Sequence, residues 1–500
     1  MSKNHLSFFV FLFASLFLFS CATIKKSEYN PEPKYSAEKL KEDFSLLKKI
    51  LEANHPGLYW YTSKDSLDKY FYTIYNSIND SFTETQFRNK VSWYLNKIHC
   101  GHTYVRPSSQ FSKYFPFETQ PQFPLAIKAW QDSLVIIANA DKNDSVLKRG
   151  TIITSINGLS NRQLLDSIFE FISTDGYADN FKDQVTSFNF SNYYTNAFPL
   201  KDSISIQYID SAGKTLTTFI KPFADTALLR RHYSPAAERE KISHKQLKQA
   251  KLQSIRRLTF DTSTNMAYMR ITSFTGGALK SFFRNSFDTI KAAHIKNLVI
   301  DLRENGGGSV SSSTVLTRYL AQKPFHIADT VAAINRSFPY GRYIHPSILY
   351  QIAMRFTTHK DDDGRYHFTL LEKHQYRPFS NLHFDGNIFI IQGGYTFSAA
   401  TMFVSHIKGQ PNVTVVGEET GGGNYGMNAV HLPSIVLPNS KIKIVLPVYR
   451  IVLDSKRQKN GRGIQPDILI EPSPDAVKKG IDLKMQKVKE LINKNNSTTR

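Results

Sequence analysis

The sequence predicts a multidomain α/β protein, and three observations predict it. The chain has 500 residues, more than one hydrophobic core serves, so about three domains are expected. Its apolar period changes along its length, from helical spacing to short β-like runs and then to alternating strand and helix. Its composition, 41% hydrophobic and 21% charged, is that of an ordinary globular protein rather than a disordered one.

Taken in order, Lys3 and His5 precede an apolar run from Leu6 to Phe19 that ends at Ser20-Cys21. A run this short reads as a secretory signal and not as a spanning helix. Leu18-Phe19-Ser20-Cys21 resembles a bacterial lipobox, which implies removal of residues 1–20 and lipidation of Cys21. Residues 21–35 then form a polar tether, and a lipid-anchored place in the bacterial cell envelope is expected, on the periplasmic or outer-membrane face. Cys100 is the only other cysteine, so no disulfide framework is expected. The chain carries 63 Lys+Arg against 42 Asp+Glu, a net charge of +21. Those bases are scattered rather than gathered in an aromatic-interleaved stripe, which argues against nucleic acid as a partner and fits an anionic membrane surface better.

Residues 36–112 read as a helical domain. Ser36 is a candidate N-cap, and Leu40, Phe44, Leu47, Ile50 and Leu51 recur at helical spacing until His55-Pro56-Gly57 stops the run. Two further stripes follow, Leu67 to Ile78 and Phe87 to Ile98. Residues 113–225 change to short β-like runs at Leu125–Trp130, Leu134–Asn139, Thr151–Ile156 and Ile204–Ile209. Arg149-Gly150, TIITSINGLS and a following helix have the cadence of a PDZ-like module, with 171–200 as an insertion. Residues 226–256 are polar and basic and read as a helical linker. From 257 to 475 strands and helices alternate, with an irregular, exposed insertion at 340–382. A single amphipathic helix, Pro474–Asn493, is expected to close the chain.

The chemistry concentrates in GGYTFSAA, Gly393 to Ala400. Here an apolar strand turns into a helix, and Ser398 sits at the bend beside backbone N–H groups that a helix start leaves unsatisfied. That is a setting for a nucleophilic serine, with a helix N-cap serine as the ordinary alternative. The glycines 306–308 after the strand Leu298–Leu302 also invite a phosphate-loop reading. They lack the G-x-G-x-x-G spacing and the P-loop lysine, so that reading fails. Neither H-E-x-x-H nor paired C-x-x-C occurs, and no metal or other cofactor is expected.

Six strings in order, IHCGHTYV, KRGTIITSING, LVIDLRENGGGSV, GGYTFSAATMF, VGEETGGGNYG and GRGIQPDI, resemble the S41 peptidases, the C-terminal processing and tricorn-like serine proteases. The resemblance implies a catalytic domain of the ClpP/crotonase type acting on a peptide or protein substrate. It implies that Ser398 is the nucleophile and that the amides of Ala399 and Gly308, or else Gly307, form the oxyanion hole. The processing-protease branch carries a lysine base where this chain has Gly423, so a Ser-Lys dyad is not expected. The tricorn-like branch delivers a histidine from upstream, and His102 matches it; His431 is the rival base. That branch also has a glutamate near the position of Asn460 here. Asp454 is the nearest carboxylate and is expected to orient the imidazole, with Glu418 and Glu419 as further candidates and Asp467 as a turn residue. Cys100 stands where the family more often has Asp; a Cys100–His102 nucleophile lacks oxyanion donors, and a packed thiol is the ordinary case. The competing functional class is an envelope lipoprotein that binds peptide or another ligand on this fold without hydrolysis.

Overall fold

The computed structural model describes residues 33–114, 121–223 and 243–498. The signal segment, Cys21, most of the tether and the first part of the linker lie outside these residues. No helix among the described residues is long and apolar enough to cross a membrane.

Three helices open the described chain: α1 (Ala37–Asn54), α2 (Lys64–Ser77) and α3 (Glu84–Asn96). Ser36 caps α1, its hydroxyl accepting the Lys39 N–H, and Thr83 closes a reciprocal capping box with Gln86 on α3. The apolar stripes meet in one core, where Phe44 stacks on Phe71 with ring centroids 4.9 Å apart. This core does not stop at the helices. It continues into Ile327–Phe338 and the strands around Ile444 and Tyr449, so the N-terminal helices and the far half of the chain share one interior.

The second region is an antiparallel sheet in the order β1 (Leu125–Trp130), β2 (Ser133–Asn139), β3 (Ile152–Ile156), β4 (Ile204–Ile209) and β5 (Thr215–Ile220). The helix Asn161–Phe169 packs its buried Leu164, Leu165 and Ile168 into that sheet's core. The presumed insertion is ordered as two helices, Asp179–Phe188 and Phe190–Ala197. The linker's described part is a helix, His244–Ile255, that buries none of its residues.

A six-stranded sheet carries the third region: β6 (Arg256–Asp261), β7 (Met266–Ile271), β8 (Asn297–Asp301), β9 (Asn387–Gln392), β10 (Val413–Gly417) and β11 (Ile468–Leu469), side by side in that order. All pairs are parallel except β6 with β7. Its central strands read as continuous apolar runs because helices cover both faces; every residue of β8 is buried. The carboxyl ends of β8 and β9 lie side by side at the middle of the sheet, where an open α/β sheet places its site.

Two expectations need correction. The segment 340–382 is not irregular: it holds the helix Ser347–Thr357, a small antiparallel pair at His359–Lys360 and Tyr366–His367, and the helix Thr369–Lys373. The closing helix is two, Pro474–Lys479 and Leu483–Thr498. Gly480 at φ 69° caps the first, a left-handed conformation that ends a helix with little strain only at glycine.

Candidate active site

Ser398 lies between β9 and the helix α4 (Ala399–Ile407). Thr396 ties the turn together: its N–H donates to Gly393 O at 2.9 Å, while its hydroxyl accepts the Gly393 N–H at 3.0 Å and donates to Leu302 O at 2.9 Å. The chain then bends so sharply that Ser398 takes φ 54°, ψ −123°, outside the regions an L-residue ordinarily occupies. An N-capping serine has extended backbone and gives its hydroxyl to the helix; Ser398 does neither, and its side chain makes no capping bond. The hydroxyl is left presented on a strained elbow.

The glycine loop after β8 packs directly against this elbow. A methyl group added at Gly307 would lie 2.6 Å from Ser398 Cβ and 3.0 Å from Ala399 N, and Gly307 holds φ 97°. Asn305 fixes both pieces from complete burial. Its side chain donates to Ile271 O at 3.0 Å and accepts the Gly307 N–H at 2.9 Å, and its carbonyl accepts the Phe397 N–H at 3.0 Å. The Gly307 amide is therefore spoken for. Among the described residues no hydrogen-bond acceptor takes the N–H of Gly308 or of Ala399, the first residue of α4.

His102 arrives from the other end of the chain, in the turn after α3. Gly101 lets it approach, since a Cβ there would meet Phe397 Cζ at 2.6 Å. His102 is 6% exposed, and its imidazole lies tilted on the Phe397 ring, centroids 4.8 Å apart, one residue from Ser398. No hydrogen bond joins His102 to Ser398 in this arrangement.

The carboxylate beside His102 is Asp175, which the sequence reading missed, and not Asp454. Asp175 Oδ2 lies 4.0 Å from His102 Nδ1, and these two buried atoms have no hydrogen-bond partner. The other oxygen, Oδ1, accepts the Gly101 N–H at 2.8 Å, and the backbone of Gly423 also favours the charged carboxylate. The position where a processing protease would carry its lysine thus acts on the acid through its backbone. Burial pushes the His102 imidazole down to about 4 and the Asp175 carboxyl up to about 7, the latter against the opposing effect of those two backbone groups. Asp175 lies in STDGYADN, where its sole local signal is the following Gly176 at φ 60°. Nothing local announces a partner seventy-odd residues upstream.

The other candidates fall elsewhere. Asp454 turns to Arg457, 3.2 Å away, at the end of the strand Tyr449–Val452. Glu418 pairs with Lys484; Glu419 pairs with Arg462 and accepts the Gly463 N–H at 2.6 Å. Asn460 accepts the Arg462 N–H at 3.0 Å. Asp467 pairs with Lys408 and accepts the Val415 N–H at 2.8 Å, fastening the segment before β11 to β10. His431 sits among Tyr350, Phe368 and Tyr449 in the shared core. Cys100 is fully buried with its thiol pushed up to about 12, so it stays protonated and is no nucleophile. Among the described residues no cluster of His, Cys, Asp and Glu is placed to hold a metal ion.

Residues 265–470, which contain the elbow and the glycine loop, match the sequence model of Peptidase family S41. This segment belongs to peptidase family S41. The S41 segment contains β7 to β11 but not His102 or Asp175, which the preceding regions supply. Over the whole chain the fold is similar to that of mature CPAF, with TM-score 0.64, 13% identity, and coverage of 92% of this chain and 98% of that one. The structure of mature CPAF complexed with lactacystin gives TM-score 0.64 at 13% identity, covering 92% of this chain and 99% of the other. At such identity the likeness is one of fold. No curated protein matches the chain.

Proposed function

We propose that this S41 protein is a serine peptidase that cleaves peptide bonds through an acyl-enzyme on Ser398, with His102 as general base. The observation that carries the reading is the elbow itself. A strained serine makes no capping bond, and two unengaged amides stand beside it. Burial keeps His102 neutral at pH 7, as a base must be. Its Nδ1 is the nitrogen nearer Asp175, which leaves Nε2 for the serine. As Ser398 Oγ bonds to the substrate carbonyl carbon, its proton passes to His102. The carbonyl oxygen takes the negative charge against the amides of Ala399 and Gly308. The C–N bond then breaks, His102 returns the proton to the leaving amine, and water hydrolyses the ester by the same path. Asp175 acts through His102, holding the ring and facing the imidazolium that forms. We place the protein in the cell envelope, anchored by lipid on Cys21.

A fluorophosphonate probe tests the mechanism. Labelling is expected in the full chain, abolished by Ser398→Ala and slowed by His102→Ala. A folded protein that takes no label is instead a binding protein on an S41 fold.

A further inference from the structure

A cleft outside this constellation carries charge of its own. This cleft, of about 500 Å³, opens between the segment after α1 and the strand Tyr449–Val452, walled by Tyr59, Trp60 and Tyr425. Three cations line it: Arg365, Arg450 and Lys459. Among the described residues no carboxylate lies within ion-pairing distance of any of them. The one acid in the lining, Glu52, is taken by Lys48 at 2.6 Å. Asp363, near Arg365 in sequence, holds His367 at 3.1 Å.

Arg450 Nε and Arg365 Nη1 are buried and have no hydrogen-bond partner. Arg450 and Lys459 face the Trp60 ring at 5.7 and 5.5 Å from its centroid. An aromatic face attracts a cation but leaves its N–H groups unsatisfied. The charges also disfavour each other: Arg450 is lowered by burial and then by Arg365, and Lys459 by burial and then by Arg450. A bound anion would relieve both costs at once.

Two stretches of chain run from the cleft wall toward the elbow, where a Cβ at Gly422 would lie 3.2 Å from Ser398 N. Tyr425 on the wall is two residues from Gly423, whose backbone favours the charged Asp175 carboxylate. Lys459 is two residues from Gly461, whose carbonyl accepts the Tyr177 N–H at 2.7 Å. Two extended residues span about 7 Å, so both wall residues are tied closely to the backbone around Asp175.

We propose that this cleft is a substrate subsite that binds a peptide carboxylate, with Arg450, Arg365 and Lys459 taking the charge and Trp60 and Tyr425 packing on the residue that bears it. The proposal rests on the peptidase reading for its role, yet binding can be measured without turnover. In the Ser398→Ala full chain, three fluorescent peptides of one core sequence are compared by anisotropy. One is neutral and amidated, one has a free C-terminal carboxylate, and one is amidated with a single internal Glu. At least one carboxylate peptide is expected to bind about tenfold tighter than the neutral one. The winning arm tells a chain end from a side chain. Arg450→Gln and, separately, Lys459→Gln should erase the difference and leave the neutral peptide's affinity unchanged. Lys459 is exposed, so its variant tests the site even if Arg450→Gln folds poorly. Equal or undetectable binding of all three peptides, or a preference that survives both substitutions, overturns the proposal. Failure of the peptidase reading would show separately, as absence of fluorophosphonate labelling in the chain that retains Ser398.

Discussion

At Asp175 and Gly307 single atoms decide whether the site works. Asp175→Asn keeps the shape of the side chain and its acceptor for the Gly101 N–H but removes the ionisable carboxyl facing His102 Nδ1. Turnover should fall by roughly two to four orders of magnitude with KM little changed, which steady-state kinetics on a peptide substrate would show. Asp454→Asn breaks only a pairing with Arg457 and should leave turnover within about twofold, as surface substitutions usually do. The reverse result would return the orienting role to Asp454. Gly307→Ala brings a methyl group 2.6 Å from Ser398 Cβ at a backbone φ of 97°. It should abolish fluorophosphonate labelling and cost more than about 1 kcal/mol of stability in a denaturant titration. Unchanged labelling would mean that the loop and the elbow are not a matched pair.

The elements that make the site come from three parts of the chain, and this governs what the sequence discloses. The elbow, the glycine loop and the central strands are local patterns: a buried β8 reads as an apolar run, and GGYTFSAA reads as strand, bend and helix. His102 was legible only through its string, because helical spacing says nothing of where the turn after α3 will land. Asp175 was not legible, since its role arises from two loops meeting across Gly101 and Gly423. Nor was the central place of Asn305, an ordinary loop residue in sequence that in space holds three backbone groups. The same logic fixes the N-terminal helices. Asp43 on α1 is wholly buried, accepts the N–H groups of Asn439 and Ser440 at 3.0 and 2.8 Å, and accepts the Ser440 hydroxyl at 2.6 Å. Asp43→Ala leaves those donors buried and unpaired, so stability should drop by about 2–4 kcal/mol in urea. A loss under about 0.5 kcal/mol would show that the helices dock through apolar contact alone.

Among the described residues, four of the buried groups with shifted titration set opposing responses to pH. His102 and His55 are pushed down to about 4 and about 3, while Asp175 and Asp183 are raised to about 7, burial being the first cause in each case. A histidine with a depressed folded pKa contributes stability that is present above its unfolded value and lost as pH falls through the folded one. A carboxyl with a raised folded pKa contributes stability that is present below its unfolded value and lost as pH rises through the folded one. Between about pH 4 and 6.5 the unfolded chain binds two more protons at the histidines and two fewer at the carboxyls, so the four slopes cancel. Asp183 accepts the Gln131 N–H at 3.1 Å, a bond that the Oδ1 of an asparagine can keep. In Asp183→Asn one carboxyl slope disappears. The difference in unfolding free energy between variant and parent should then rise with pH by about 1.4 kcal/mol per unit across that window and level off above pH 7. Chemical denaturation of both proteins at four or five pH values measures it. A difference that stays constant with pH would mean that Asp183 is ionised in the folded protein, with Lys128 beside it holding the charge.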